Sequence, residues 1–343
     1  MTLILRNHEV RGLMPLSGYI EAVEEGYRQV GLGHGVGLPR QNLWLQGDCS
    51  QGVGGGHMHP GARGSFKLKA ALLPGTGFAG VQAYTAGLGR GLSTYLFLFD
   101  AVSGDLAALI EVLYYDWLKT AAVGAVASRH LAPPESEVVA LFGTGRHARS
   151  QLYGLHAVFP LRRVQAYSRN ADKREAFCRR LSDELHIPVV PAASPAEALK
   201  GAHIITTITT SQSPVFDGRL LELRPLHINA MGAHYPWVRE IDTHVVQGSR
   251  IISDLRDQAT LEKGEILIPI GTGELSATGL AGELGEVVTG SVPGRTSNTC
   301  WTLFLSGGTG IEDIAVGARL YQEALAAGVG SKIELDQPYE FTL

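Results

Sequence analysis

Residues 138–152, VVALFGTGRHARSQL, decide the fold. A five-residue apolar run reads as a buried strand. It is followed by Gly143-x-Gly145-x-x-Ala148 and then by a helical pattern. Each small residue has a task in a dinucleotide-binding turn. Gly143 permits the sharp bend, Gly145 lets a pyrophosphate approach the backbone, and Ala148 lets the helix pack close to the sheet. Thr144, Arg146 and His147 complete the turn, and the helix start offers unpaired N–H groups to phosphate.

Outward from this unit the pattern alternates. Strands are expected at 163–168, 188–190, 203–208, 227–231 and 250–253, with helices at 146–157, 171–185 and 195–200 between several of them. Such alternation implies a parallel sheet with right-handed crossovers, a Rossmann-type doubly wound α/β domain. Upstream, APPES (132–136) is a Pro-containing break and the expected domain boundary. Before it lie a strand at 2–6, a helix at 15–31, a loop from Asn42 to Pro60, strands at 65–73 and 80–86, a hairpin over 92–112 and a helix over 115–131. A long helix at 309–327 leads back toward this first part. The expected units are residues 1–132 with 318–343, a smaller α+β substrate and dimerisation domain, and 133–317, the Rossmann domain.

Where the second strand ends, AYSRNADK offers Ser168, Arg169, Asn170 and Lys173, with no carboxylate before Asp172. An acidic residue there would hold the 2′-hydroxyl of NAD, whereas Arg and Lys suit a 2′-phosphate. NADP(H) is therefore favoured, with NAD(H) as the alternative. After the fourth strand, Thr209, Thr210 and Ser211 stand where ligands sit in such sheets.

Composition excludes other classes. Apolar residues are 45% and charged residues 18%, enough for a sizeable core, and 29 basic against 33 acidic residues are scattered, which argues against nucleic acid. No apolar stretch approaches the ~18 residues of a membrane span, and no signal peptide is evident. Cys49, Cys178 and Cys300 are odd in number and far apart, so a disulfide framework is not expected and a reducing cytoplasm fits. His57 and His59 form an HxH without a further ligand, and no metal is expected.

The chain resembles the ornithine cyclodeaminase/mu-crystallin family. The likeness runs nearly end to end, through IEAVEEGYRQVGLG, LPRQNLWL, GVQAYT, YLFLFDAVSGDLAALIE, WLKTAAVGAVASRHLA, ALFGTGRHARSQ, YSRNADKREAF, TTITTSQSPVF, INAMGAHYPWVREID, GRTSN and LFLSGGTGIEDIA. The resemblance implies a homodimer that uses NAD(H) or NADP(H) on small amino or imino carboxylates. Arg40 matches the family's carboxylate-binding Arg. Lys119 replaces a second Arg, which keeps charge but loses the bidentate fork. Gln82 aligns with a family Lys, for which Lys67 or Lys69 is a substitute. His234 stands where the family has a catalytic Asp and is expected to protonate an imine nitrogen. Met231, Gly232, Arg295, Ser306 and Gly307 fall in the implied nicotinamide neighbourhood, and His59 is implied to line the substrate pocket. The expected function is an NAD(P)H-dependent oxidoreductase on a small imino, amino or keto carboxylate. The alternatives are a non-catalytic NADPH-binding protein of the mu-crystallin type or an amino-acid cyclodeaminase.

Overall fold

In the computed structural model, Val138–Phe142 is the third strand of an eight-stranded, wholly parallel sheet. The order runs Val189–Pro191, Arg163–Tyr167, Val138–Phe142, Ile204–Thr207, Leu226–Ala230, Trp301–Leu305, Ser249–Ser253 and Leu280–Glu283. The chain turns from one half of the sheet to the other between Val138–Phe142 and Ile204–Thr207. That switch point leaves a crevice at the carboxyl ends of the strands. The structure describes residues 1–47, 59, 61–88, 91–296 and 300–335.

The strands are apolar because both faces are covered. One face buries Leu141, Leu152, Leu155 and Val164 under the helices Arg146–Val158 and Ala171–Leu185. The other buries Phe142, Ile205, Ile228 and Leu303. Two of these strands, Trp301–Leu305 and Leu280–Glu283, are additional to those expected from sequence.

A second eight-stranded sheet is mostly antiparallel. It runs Ser331–Ile333, Thr2–Leu5, Leu106–Glu111, Gly91–Asp100, Phe78–Leu88, Ala62–Leu73, Val36–Gly37, with Gln41–Gln46 also paired to Ala62–Leu73. The expected loop from Asn42 is thus corrected at its start. QNLWLQ pairs antiparallel with 62–68, its exposed leucines Leu43 and Leu45 alternating with the half-buried Trp44. Most of the remainder of that stretch, including Cys49 and His57, lies outside the described residues.

The helices Leu16–Gly31, Asp116–Leu131 and Gly310–Ala327 pack together, the last also against four strands of this sheet. Leu96, Ile110, Val123 and Ile314 belong to their shared core. The helix Asp116–Leu131 also meets the nucleotide-side helix Arg146–Val158 at backbone distance. A Cβ at Gly154 would fall 2.5 Å from the Ala121 carbonyl oxygen, and one at Gly124 would run into the Gln151 amide. Gln151 Nε2 donates to the Thr120 carbonyl at 2.7 Å, closing the contact. Among the described residues no helix is long and apolar enough to cross a membrane.

Candidate active site

One cavity of about 960 Å³ runs from the crevice of the parallel sheet to the inner face of the second sheet. Residues singled out from sequence line it at both ends. Gly143, Thr144, Gly145, Arg146, His147 and Ala148 form its floor at the first turn. Ser168, Arg169, Asn170 and Lys173 stand at the end of the second strand, and Thr209, Thr210 and Ser211 at the end of the fourth. Met231, Gly232, Ser306 and Gly307 occupy the middle, and Arg40, Lys69, Gln82, Lys119 and His234 the far end.

The floor has the features that phosphate requires. Gly143 has φ +112°, and a Cβ there would lie 2.5 Å from the Ile208 carbonyl oxygen, so only glycine fits. A Cβ at Gly145 would meet nothing within 4 Å, leaving open space directly before the helix. No side chain caps that helix start, so its N–H groups remain available to an anion. The Ser168 hydroxyl lies 3.0 Å from that of Thr144, and Arg174 donates to the Ser168 carbonyl at 2.5 Å. Asn170 caps the next helix through the Lys173 N–H, 2.8 Å away.

Glu240, which sequence reasoning passed over, fixes the middle of the cavity. Its carboxylate accepts from Thr207 Oγ1 (2.9 Å), from Thr209 N and Oγ1 (2.6 Å each) and from Gly232 N (2.7 Å). Burial pushes its pKa up, and these donors oppose the push. Asp254 does the same for the next loop, accepting from Ser306 Oγ and from the N–H groups of Gly307 and Gly308.

At the far end four cationic side chains converge. Arg40 donates to the carbonyls of Gly307 and Gly308 and lies 3.7 Å from Glu262. Lys69 reaches Asp313 Oδ2 at 2.6 Å, and Lys119 is bonded to Asp313 Oδ1 with Asp116 at 3.3 Å. One buried carboxylate is therefore shared by two ammonium groups. Burial opposes the charge on Lys119, but Asp313 and Asp116 outweigh it and raise its pKa. For Lys69, burial wins over its share of Asp313, with Lys119 adding repulsion, so its pKa falls. Gln82 pairs directly with Lys69 across the strands and donates to Thr94 at 2.8 Å. Lys67, two residues before Lys69 on the same face, bonds the Tyr235 hydroxyl; burial, then the Arg40 charge, lower its pKa to about 7.

His234 lies in the cavity wall, but its surroundings oppose the expected proton donation. Burial, and then the charges of Arg40, Lys67 and Lys263, press its pKa well below the ordinary histidine value. Its Nδ1 is 3.2 Å from the Gly232 carbonyl, so that nitrogen carries the proton and Nε2 is an acceptor. Arg295 also departs from expectation. It donates to the carbonyls of Leu131 and Leu226, at the amino ends of the strands, and is absent from the cavity wall. His59 packs against Trp44 and Trp237, with ring centroids 5.5 and 5.3 Å away, and is likewise not among the lining residues. Among the described residues no three potential ligands gather for a metal ion.

The family model "Ornithine cyclodeaminase/mu-crystallin family" matches residues 1–328. Delta(1)-pyrroline-2-carboxylate reductase of Bacillus cereus is 32% identical over 238 residues, 69% of this chain and 73% of that one. Alanine dehydrogenase of Archaeoglobus fulgidus is 30% identical over 337 residues, 97% of this chain and 98% of that one. Among solved structures, Thermococcus litoralis Delta(1)-pyrroline-2-carboxylate reductase in complex with NADH and L-proline superposes with a TM-score of 0.86 at 25% identity, over 97% of this chain and 100% of that one.

Proposed function

This chain belongs to the ornithine cyclodeaminase/mu-crystallin family, and on that premise we propose that it is an NAD(P)-dependent oxidoreductase interconverting a small imino carboxylate and the corresponding amino acid. The observation that carries this reading is one continuous cavity with an uncapped helix start at one end and a cluster of cations at the other. Gly143–Ala148 would hold the pyrophosphate of NADP(H), which would supply or accept the hydride. Arg169 and Lys173, with no carboxylate among 168–171, favour the 2′-phosphorylated nucleotide over NAD(H).

Arg40 and Lys119 hold the substrate carboxylate by charge-assisted hydrogen bonds. Lys69, whose proton is loosened by burial beside Lys119, hands that proton to the substrate nitrogen. His234, neutral and oriented by Gly232, accepts a hydrogen bond from that nitrogen. A neutral acceptor holds a second, cationic amine poorly, which favours imine reduction over cyclodeamination of a diamino acid. Glu240 and Asp254 keep the loops around the reacting carbon in place.

The expected boundary at 318 falls inside the helix Gly310–Ala327, which packs on the antiparallel sheet, so the proposed units are shifted to 1–132 with the returning helix from 310, and 133–309. The outer face of the mostly antiparallel sheet exposes Leu43, Phe66, Leu72, Tyr95 and Phe99. An apolar face of that kind supports a homodimer there. Free Cys178 and Cys300 are compatible with the proposed cytoplasmic setting.

The test is NADPH oxidation with purified protein and a panel of cyclic ketimine carboxylates and 2-oxo acids plus an amine. Turnover of one or more supports the enzyme. Tight NADPH binding with silence across the panel would make the protein a nucleotide-binding protein instead.

A further inference from the structure

The cations at the far end of the cavity differ in how they are satisfied. Arg40 has Glu262 and two carbonyls, Lys69 has Asp313, and Lys119 has Asp313 and Asp116. Lys67 has none of these. Among the described residues no carboxylate lies within ion-pair distance of it, and the Tyr235 hydroxyl is its one hydrogen-bond partner. It is nevertheless only 2% exposed. An ammonium group has three donors, so two are unused in a place that water scarcely reaches. Aromatic faces surround it, with the ring centroids of Tyr235, Trp44 and Tyr84 at 4.7, 5.7 and 5.7 Å. Rings in this arrangement favour the charged form without supplying an acceptor.

Lys67 projects from the same strand face as Lys69, roughly 7 Å along the strand, and Lys69 lines the cavity. Tyr84, directly opposite Lys67 across the strand pair, lines it too. The lysine amine stands one layer behind that wall, on a four-carbon stem that can turn forward.

We propose that Lys67 is a second anion anchor, which selects substrates carrying an acidic group two or three carbons beyond the reacting carbon, so that the preferred imino acids are dicarboxylates. The inference rests on the oxidoreductase reading for the identity of the site. It goes further in naming what the far end of the substrate must be. An anion arriving at Lys67 fills the missing acceptor positions, and a substrate ending in a methyl group leaves them empty.

The test reads binding without turnover. Protein saturated with NADP⁺ is titrated by calorimetry with glutarate and with pentanoate, five-carbon chains that differ in the second carboxylate. The expected result is at least about tenfold tighter binding of glutarate. Lys67→Met, which keeps length and loses charge, brings the two affinities to within about twofold, and Lys67→Arg retains most of the preference. The NADP⁺ titration of each variant reports that it is folded. Equal affinities in the parent protein, or a glutarate preference that survives Lys67→Met, overturns the proposal. Because no reaction is needed, these outcomes are separate from silence in the NADPH-oxidation panel, which bears on the oxidoreductase reading alone.

Discussion

Replacing Asp313 by Asn tests the shared-carboxylate account of the far end of the cavity. Asp313 is 0% exposed and holds Lys69 through one oxygen and Lys119 through the other. Asn keeps the shape but removes the charge and turns an NH₂ toward one of the two ammonium groups. The lysines do not lose equally. Lys119 keeps Asp116 at 3.3 Å, whereas Lys69 has no other carboxylate partner within ion-pair distance among the described residues. At an effective dielectric of about 20, charges 2.6 Å apart attract by roughly 6 kcal/mol. That gross figure is capped, because Lys69 can shed its proton instead. From an ordinary pKa of about 10.4, deprotonation at pH 7 costs roughly 4–5 kcal/mol, and part of this is already incurred, since Lys69 is lowered in the parent. The expected loss is about 3 kcal/mol, in the range for breaking a buried pair by removing one partner. In urea unfolding this moves the midpoint down by roughly 1 M, for a slope of ~3 kcal/mol/M.

The pH dependence adds a sign. In the variant the folded state holds Lys69 neutral and the unfolded state holds it charged, so unfolding takes up a proton. The penalty is fully present at neutral pH and is relieved as pH rises toward the unfolded lysine pKa. Stability of Asp313→Asn therefore climbs between pH 7 and 9, by up to about 1.4 kcal/mol per pH unit and more steeply than the parent. A variant within about 1 kcal/mol of the parent at pH 7, with no steeper climb, would refute the reasoning.

Three further outcomes follow from the same geometry. Arg169→Ala is expected to weaken NADPH binding about tenfold and NADH binding by less than about twofold, as read by fluorescence titration; equal losses would remove the 2′-phosphate contact. His234→Asn, which preserves a neutral acceptor, is expected to keep kcat within about tenfold of the parent and to leave the acid limb of the kcat/KM profile unmoved, since His234 does not titrate near its ordinary pKa; loss of that limb would mean that His234 carries the proton after all. Glu240→Ala leaves Thr209 and Gly232 without their common acceptor, and about 3 kcal/mol of stability with at least about tenfold of NADPH affinity should be lost together, by urea unfolding and by nucleotide titration.

The nucleotide half of the molecule was legible because local and global signals agree there. VVALF is buried on both faces and the Gly143 that follows it has a positive φ that side chains disfavour, so periodicity and turn chemistry point the same way. The strands Trp301–Leu305 and Leu280–Glu283 were missed for lack of such agreement. WTLFL runs straight into the glycine-rich SGGTG, and LAGE is four residues with little alternation. Gln41–Gln46 hid its strand because leucines, Leu43 and Leu45, occupy its exposed alternate positions. In the candidate site, most side chains singled out from sequence line the cavity, Arg295 and His59 being exceptions, but their charge states could not be read from sequence. His234 is held neutral by burial and then by Arg40, Lys67 and Lys263, which come from three separate stretches of chain. Asp313 looked like an ordinary acidic residue in the first turn of a helix. Its partners Lys69 and Lys119 are brought to it only by the packing of that helix on the sheet.

Gly154 and Ala121 meet with no side chain between them, and Gln151 bolts the two helices together beside that point. One helix begins at the phosphate floor, and the other bears Lys119 a turn from its start. The proposed nucleotide shelf and carboxylate anchor are thus mounted on a single rigid bracket. On the proposed reading, a substrate would be gauged against the cofactor by a length set when the protein folds, because Lys119 and the phosphate floor sit on helices in backbone contact.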